Sequence, residues 1–420
     1  MNTLKTIENL SVFLRNMSRR LKVMVVRSTL ANFVSNMNPY NSIYIVALGA
    51  SGVNLGFLTS ISSGLSAFSA MSTGWISDKR NRKKIFLIGT LIALLVPVFY
   101  ASALDWSWLI MAFILAGIAD GIIQPAWNAM YINCMSSRER GTLYGLANSL
   151  ILIPAVFAPL IGATIVLSSG GLTSEGIRPL YLLQFLILCG ITIFIWKYLE
   201  NEENKTDPQL SLNSLAKDYK EIWEIKGARA WILMKSLGSI SIGMAGPFWI
   251  LYASVVKHAP AMTIAVMVTS RLVANISFSP FVGKLTDKNG RKRMILIGRA
   301  VMYGGVAIFL FSNVDWQLVL TWILFGISDA TGIAWSVEEC ELVAESSRSR
   351  ITAMSLSAFN ILAMPSAILG GFLWESVSPI APFIVMAIID GCIRMSVIYL
   401  FVPESSKNLN EDRLQSRDQE

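Results

Sequence analysis

Long apolar segments divide this chain, and they limit its fold more than any other feature. Each is about 20 residues long, the length of helix that crosses a hydrocarbon core about 30 Å thick. Backbone polar groups find no water in that layer, so each segment must satisfy them within a helix. The sequence therefore predicts an all-α membrane protein with twelve transmembrane helices, at residues 23–48, 53–77, 85–103, 107–133, 141–167, 180–198, 230–256, 261–283, 294–312, 317–343, 351–374 and 380–402.

The basic residues predict how the segments are oriented. We number each loop after the segment that precedes it. Of the 35 Lys and Arg, 28 lie in the termini and even-numbered loops, 5 lie within segments, and only Arg178 and Lys257 lie in odd-numbered loops. Basic loops stay on the cytoplasmic side of a membrane. Both termini are therefore predicted to be cytoplasmic, and the net charge of +8 reflects topology and does not indicate nucleic-acid binding.

A charged cluster appears twice, half a chain apart. It reads GWISDKRNRKK at Gly74–Lys84 and GKLTDKNGRKR at Gly283–Arg293, an offset of 209 residues. Three further pairs keep an offset of 209 or 210 in the same order: DW at 105 and 315, ILAGIAD and ILFGISD at 114 and 323, and SSRER and SSRSR at 136 and 346. A constant offset predicts two six-helix halves with the same orientation, a parallel repeat.

The repeat also predicts the domain organisation. Residues 1–22 place leucines at helical spacing beside basic residues, which is typical of an amphipathic helix on a membrane surface. We expect an N-terminal six-helix bundle at 23–198, a cytoplasmic linker at 199–229, a C-terminal six-helix bundle at 230–403 and a cytoplasmic tail at 404–420.

The repeated cluster resembles the loop signature of the major facilitator superfamily, Gly-x-x-x-Asp-x-x-Gly-Arg-Lys. The first copy has Asn81 in place of the second glycine, whereas the second copy keeps Gly290. The sequence RERG at 138–141 is similar to the stretch that follows span 4 in the family. The pattern is closest to the twelve-span drug/proton antiporters, although their span 5 signature is kept only at Pro159 and Gly162.

The resemblance implies that each charged cluster latches one half of the protein to the other. Asp78 is expected to reach the start of span 11, and Asp287 the start of span 5. The predicted gating residues are Asp78, Arg82, Asp287, Arg291, Arg138, Arg140, Arg348 and Arg350.

Two acids lie deep within apolar segments at equivalent positions of the repeat. They are Asp120 and Asp329, and ionisable residues at such depth are costly and indicate function. The only histidine, His258, lies in a loop, so proton coupling would fall to these two carboxylates. Asp390 and Arg394 are four positions apart on the last segment, a spacing that predicts a structural ion pair on one helix face.

The family fold places spans 1, 4, 7 and 10 around a central cavity. Along these spans the predicted substrate-binding residues are Asn32, Asn36, Gln124, Trp127, Asn128, Trp249, Trp335 and Ser336. Amides, aromatic rings and two acids together indicate a moderately apolar organic substrate.

The absent motifs limit the function further. The chain has no phosphate-binding loop and no soluble domain that could use ATP, and we expect no cofactor, no metal and no enzymatic activity. The leading hypothesis is a proton-coupled efflux transporter that works as a monomer in the cell membrane, with a small molecule, protons and lipid as its partners. Uptake of a small polar metabolite by a symporter or facilitator is an alternative. A non-transporting receptor on the same fold is another.

Overall fold

A computed structural model describes residues 17–79, 82–133, 150–200, 220–332, 335, 342 and 348–401. In these ranges the chain is helical and contains no β-strand. The α-helices are α1 Arg19–Met37, α2 Asn41–Ala47, α3 Gly52–Lys79, α4 Arg82–Ser102, α5 Leu109–Asn133, α6 Ala158–Ser168, α7 Ser174–Tyr198, α8 Lys226–Ala245, α9 Trp249–Val255, α10 Ala261–Asn289, α11 Arg291–Phe311, α12 Asp315–Ala330, α13 Arg348–Ser376, α14 Ala381–Met386 and α15 Met395–Phe401.

The predicted all-α membrane architecture is confirmed. Within the described residues, nine helical segments are long and apolar enough to cross a membrane. One of them, Leu150–Ser168, includes α6. Most of the predicted amphipathic segment (1–16), most of the linker (201–219) and the whole of the tail (404–420) lie outside the described residues.

The first and seventh predicted spans are each broken, although the sequence predicts continuous helices at 23–48 and 230–256. The first ends at Met37 and resumes at Asn41, with Pro39 between. The seventh passes through a 3₁₀ turn at Gly246–Phe248, which contains Pro247. Proline lacks the N–H that an α-helix uses and clashes with the preceding turn. The two prolines are 208 residues apart, so the break is a feature of the repeat.

Aromatic clusters fill both halves near the odd-numbered loops. In the first half, Tyr100 and Tyr181 stack with ring centroids 4.6 Å apart, and the Tyr44 hydroxyl donates to the Tyr100 carbonyl at 2.6 Å. In the second half the cluster is larger and consists of Trp249, Tyr252, Phe309, Trp322, Phe325 and Phe383. These buried rings make the odd-loop end of each bundle a packed core.

Helices α3 and α13 form the main seam between the two halves. They run antiparallel, because Gly52 lies against Glu375 at one end and Ser66 lies within 3.5 Å of Asn360 further along. A Cβ at Gly56 would lie 2.2 Å from the Ala367 carbonyl oxygen, so only glycine permits this close approach of the helices.

Two further contacts join the halves, one beside an odd-numbered loop and one further along the helices. The Tyr40 hydroxyl donates to the Ala261 carbonyl at 2.9 Å. The Thr269 hydroxyl donates to the Val156 carbonyl at 3.0 Å. Together with the α3–α13 seam, they hold the halves together on their odd-loop side.

Candidate functional site

The two candidate coupling acids lie on core-facing sides of their helices. Seven residues turn an α-helix by nearly two full turns, so residues seven apart share a face. Asp120 follows Phe113 by seven, and Asp329 follows Trp322 by seven. Phe113 packs against the ring of Tyr100, and Trp322 is buried in the aromatic cluster of the second half. Both acids are nevertheless exposed. The packed interior therefore includes Phe113 and Trp322 but does not extend along the helices to Asp120 and Asp329.

The two acids differ in their partners. Arg271 on α10 donates to both oxygens of Asp329, from Nε at 2.6 Å and from Nη2 at 3.1 Å. The side chains of Arg271 and Asp329 are 44% and 37% exposed. Asp120 has no ion-pair partner among the described residues. The sequence did not predict the Arg271 contact, although both charges stand out within apolar segments.

The predicted amides are only partly positioned by the described contacts. On α1, Asn32 donates to the Ser28 carbonyl at 2.9 Å, and Asn36 donates to the Asn32 carbonyl at 2.8 Å. Each amide thus uses one N–H donor in a hydrogen bond within its own helix, and both side chains are half-buried. Gln124 is exposed on α5. The side chain of Asn128 and all of Ser336 lie outside the described part of the chain.

The three predicted tryptophans pack within their own halves. Trp127 lies 5.3 Å from the Phe86 ring, and the Arg27 guanidinium sits 4.5 Å above its indole. Trp335 lies 5.7 Å from the Trp231 ring. Trp249 belongs to the aromatic cluster of the second half. Contact of these rings with a substrate stays a prediction.

The predicted Asp390–Arg394 ion pair is confirmed, and it belongs to a larger buried cluster. Arg394 donates to Asp390 at 2.7 Å, and Arg299 on α11 approaches the other oxygen at 3.5 Å. The Tyr303 hydroxyl also donates to Asp390. Both guanidinium groups lie over the Trp335 ring, at 4.6 and 5.1 Å. The sequence indicated charges in these segments but not that they meet.

This cluster coincides with an irregular stretch of helix. Residues Ala387–Arg394 form a π-helix, a conformation that is rare and often marks special sites. A Cβ at Gly238 on α8 would lie 2.3 Å from the Arg394 guanidinium carbon, so glycine makes room for the buried charge.

The predicted gating residues lie at helix ends where the structure describes them. Arg82 and Arg291 are the first residues of α4 and α11. Asp78, Asp287, Arg348 and Arg350 lie within helices, but their side chains lie outside the described residues, as do Arg138 and Arg140 entirely.

A latch at the opposite end of the α3–α13 seam was not predicted. The backbone N–H of Gly52, at the start of α3, donates to a carboxylate oxygen of Glu375, near the end of α13, at 2.5 Å. A carboxylate at a helix N-terminus satisfies an unpaired donor and interacts favourably with the helix dipole.

The whole arrangement is that of a membrane transporter built from two similar helical bundles. The sequence pattern of the Major Facilitator Superfamily matches residues 23–265 and 231–416. The chain therefore belongs to this superfamily, and it is a multi-pass membrane transporter and not an enzyme.

Individual relatives are more distant. The chain is 26% identical over 176 residues to a class D tetracycline resistance protein of Salmonella ordonez, a match that covers 41% of this chain and 44% of that protein. It is 24% identical over 300 residues to the multidrug resistance protein MdtG of Yersinia enterocolitica, covering 69% and 70%. Among solved structures, a mutant of the nucleoside transporter NupG has the same fold, with a TM-score of 0.71, 15% identity and coverage of 91% and 99%.

Proposed function

We propose that this transporter exports a small, moderately apolar organic compound in exchange for protons. The observation that carries the proposal is the pair of repeat-related carboxylates, Asp120 and Asp329. Each is exposed on a helix face that is otherwise directed to the bundle interior. A carboxylate exposed at that depth needs water, a proton or a cation beside it, because lipid solvates charge poorly. At Asp329 the cation is Arg271, whereas no described residue supplies one to Asp120. Two relatives named for tetracycline and multidrug resistance support export.

Alternating access is the mechanism that fits the two bundles. In this mechanism the halves rock against each other around a fixed central site. The described contacts between the halves near the odd-numbered loops correspond to a state closed at that end. Protons and substrate would then exchange at Asp120 and Asp329 from the even-loop side, with the predicted amides and tryptophans contacting the substrate.

The proposed topology completes this function. We propose twelve spans, with both termini and the even-numbered loops in the cytoplasm of a cell, and a protein that works as a monomer. In this topology α1, α3 and α12 would cross the membrane in addition to the nine described apolar segments. The even-numbered loops carry the basic residues. Asp78 and Asp287, with their neighbouring arginines, would latch the cytoplasmic end.

Uptake of a polar metabolite is a second candidate. The row of Ser28, Asn32 and Asn36 on one face of α1 favours it, because amides and hydroxyls recognise polar ligands. The incomplete span 5 signature of the antiporters favours it as well. In that case the same carboxylates would carry protons inward together with the substrate.

Flux in proteoliposomes tests the proposal. An imposed pH gradient should drive accumulation of an organic substrate such as a tetracycline or an aromatic cation, and reversal of the gradient should reverse the direction of net flux. Asp120→Asn and Asp329→Asn should each remove the proton-driven part, because the amide keeps the shape but cannot titrate. Asp105→Asn, in an exposed loop, is the control.

Undiminished pH-driven flux in both single variants and in the double variant would exclude the coupling role of these acids. Flux in which substrate and protons move in the same direction would favour uptake instead.

A further inference from the structure

The two halves pack the same way beneath the two candidate acids. In the first half, a Cβ at Gly117 on α5 would lie 2.4 Å from the Ser62 carbonyl oxygen on α3. In the second half, a Cβ at Gly326 on α12 would lie 2.2 Å from the Arg271 carbonyl oxygen on α10. The glycines are 209 residues apart, and so are Ser62 and Arg271. Each glycine lets two helices touch three residues before an acid.

The side chain at the point of closest approach differs in kind between the two halves: it is Arg271 in the second half and Ser62 in the first. In the second half, the long side chain of Arg271 extends from α10 to Asp329 on α12, and its guanidinium binds both carboxylate oxygens. In the first half, the equivalent residue is Ser62, a short neutral side chain. Asp120 is left without an ion-pair partner in the part of the chain that the structure describes. Among the described residues, the repeat thus presents one acid that is neutralised by an ion pair and one acid that is not.

The nearby arginines on neighbouring helices are engaged elsewhere and do not change this difference between the two acids. On α11, which packs beside α12, Arg299 is directed to Asp390 and the Trp335 ring. In the first half, the guanidinium of Arg27 on α1 lies over the rings of Phe86 and Trp127, at 5.0 and 4.5 Å. Its Nε is buried without a hydrogen-bond partner.

We propose that Arg271 is a specificity-determining residue: it neutralises the second-half acid and so confines recognition of an organic cation to a single subsite at Asp120. The inference rests on the proposed function, because both acids must line the substrate path. A bidentate ion pair carries no net charge and engages both carboxylate oxygens. A lone carboxylate in surroundings of low dielectric attracts a cation far more strongly than it would in water. The ligand class is therefore a monovalent organic cation with an apolar body.

Quaternary ammonium compounds separate cation recognition from proton transfer, because they carry no titratable proton. The probes are a series of bis-trimethylammonium alkanes of increasing chain length, each matched with the alkyl-trimethylammonium of the same length. Equilibrium binding to the purified full-length protein is measured at one fixed pH, so the assay is independent of proton-driven flux.

Two reciprocal variants exchange the repeat positions. Arg271→Ser gives the second half the residue that the first half has at the equivalent position, Ser62, and leaves Asp329 without its ion-pair partner. It should therefore raise affinity for the best bis-cation at least tenfold relative to the matched mono-cation. Ser62→Arg copies the second half into the first. It should lower affinity for both probes at least tenfold, and adding Asp120→Asn to it should cause little further loss.

Other outcomes overturn the inference. They are an unchanged ratio of bis-cation to mono-cation affinity in Arg271→Ser, unchanged binding in Ser62→Arg, or no binding of any cation to the natural protein or to Arg271→Ser. Arg271→Gln removes the charge while keeping a long polar side chain, and it replaces Arg271→Ser if that variant does not fold. Proton-driven flux of other compounds could persist in all these cases, so the inference can fail while the proposed function stands.

Discussion

Single residues show how this protein places charge inside a membrane. Asp390 is 1% exposed and Arg394 is 4% exposed, and a buried charge is tolerated only when it is paired and hydrogen-bonded. Asp390 meets this condition with two arginines and a tyrosine hydroxyl. The cluster holds α11 and the π-helix together, far from Asp120 in sequence, and we assign it a structural role.

Asp390→Asn should destabilise the protein strongly. The substitution leaves two buried guanidinium groups without their counter-charge, and breaking a buried pair by removing one partner costs about 3–5 kcal/mol. The measurement is the unfolding midpoint in detergent, compared with that of Cys392→Ser, an exposed neighbour on the same π-helix. Equal midpoints for the two variants would contradict the structural role.

At the scale of helices, α3 and α13 form a seam that has an acid near the end of each partner. Glu375, near the end of α13, caps the start of α3. Asp78, near the end of α3, is expected to cap the start of α13. Because the helices run antiparallel, the two caps lie at opposite ends of the seam. Each would stabilise a different state of alternating access, since a conformational equilibrium shifts only through contacts that differ between its states.

Glu375→Gln should favour opening at the odd-loop end. Glu375 is exposed, and the loss of a charged cap at an exposed helix N-terminus is worth about 0.3–1 kcal/mol, which changes a two-state ratio by roughly two- to fivefold. Spin labels at Ala47 and Val255, on the facing helices α2 and α9, should report a larger population of long distances. Glu175→Gln, an exposed acid in the first turn of α7, is the control.

Asp78→Asn should shift the same label distances the opposite way. Removing the expected cap at the even-loop end should favour opening there and so keep Ala47 and Val255 close. If both variants moved the distances in the same direction, or if Glu375→Gln matched its control, the reciprocal latch would be wrong.

At the scale of the whole molecule, the charge distribution predicts one orientation. The even-numbered loops and termini hold 28 of the 35 Lys and Arg. In the odd-numbered loops, charged side chains form local hydrogen bonds. The ammonium of Lys257 donates to the carbonyls of Leu310 and Ser312, at 2.9 and 2.7 Å. In another odd-numbered loop, hydrogen bonds from the Ser107 side chain and backbone lower the pKa of Asp105.

Cysteine labelling in intact cells tests this orientation. In a background without the four natural cysteines, His258→Cys in loop 7 should react with a membrane-impermeant thiol reagent. Lys226→Cys, at the start of α8, should react only after the cells are made permeable. The opposite pattern would invert the topology, and reaction of both sites in intact cells would contradict the assignment of the even-numbered loops.

Much of the fold could be predicted from residues alone, because the bilayer imposes a simple rule. An apolar run of about 20 residues must become a helix whatever surrounds it. The boundaries of α4 and α11 differ from the predicted segments by at most three residues at each end. The breaks at Pro39 and Pro247 could also have been predicted, since proline inside a helix is a known interruption.

The site was less accessible to prediction. Depth and repeat equivalence singled out Asp120 and Asp329 as a matched pair. The partner of Asp329 depends on which helices touch, and at what height along their axes. Arg271 is 58 residues away in the chain, and no local pattern joins the two. The neighbours of Trp127, Trp249 and Trp335 also depend on tertiary contacts, and contact of these rings with a substrate stays a prediction.

The sequence by itself determined the class of protein and its all-helical architecture, and it predicted the twelve segments and the two equivalent halves. The length of an apolar segment and the placement of basic residues are local properties. They decide directly which segments can cross a membrane and which loops stay cytoplasmic. Only the tertiary structure decided that, among the described residues, Asp329 is paired with Arg271 while Asp120 has no ion-pair partner, that Glu375 caps α3, and that Arg299 joins the Asp390–Arg394 pair. Those facts depend on contacts of a few ångströms between helices that are distant in the chain. Such contacts depend on how closely particular helices approach, as α3 and α13 do at Gly56 and α10 and α12 do at Gly326, and not on the composition of any segment.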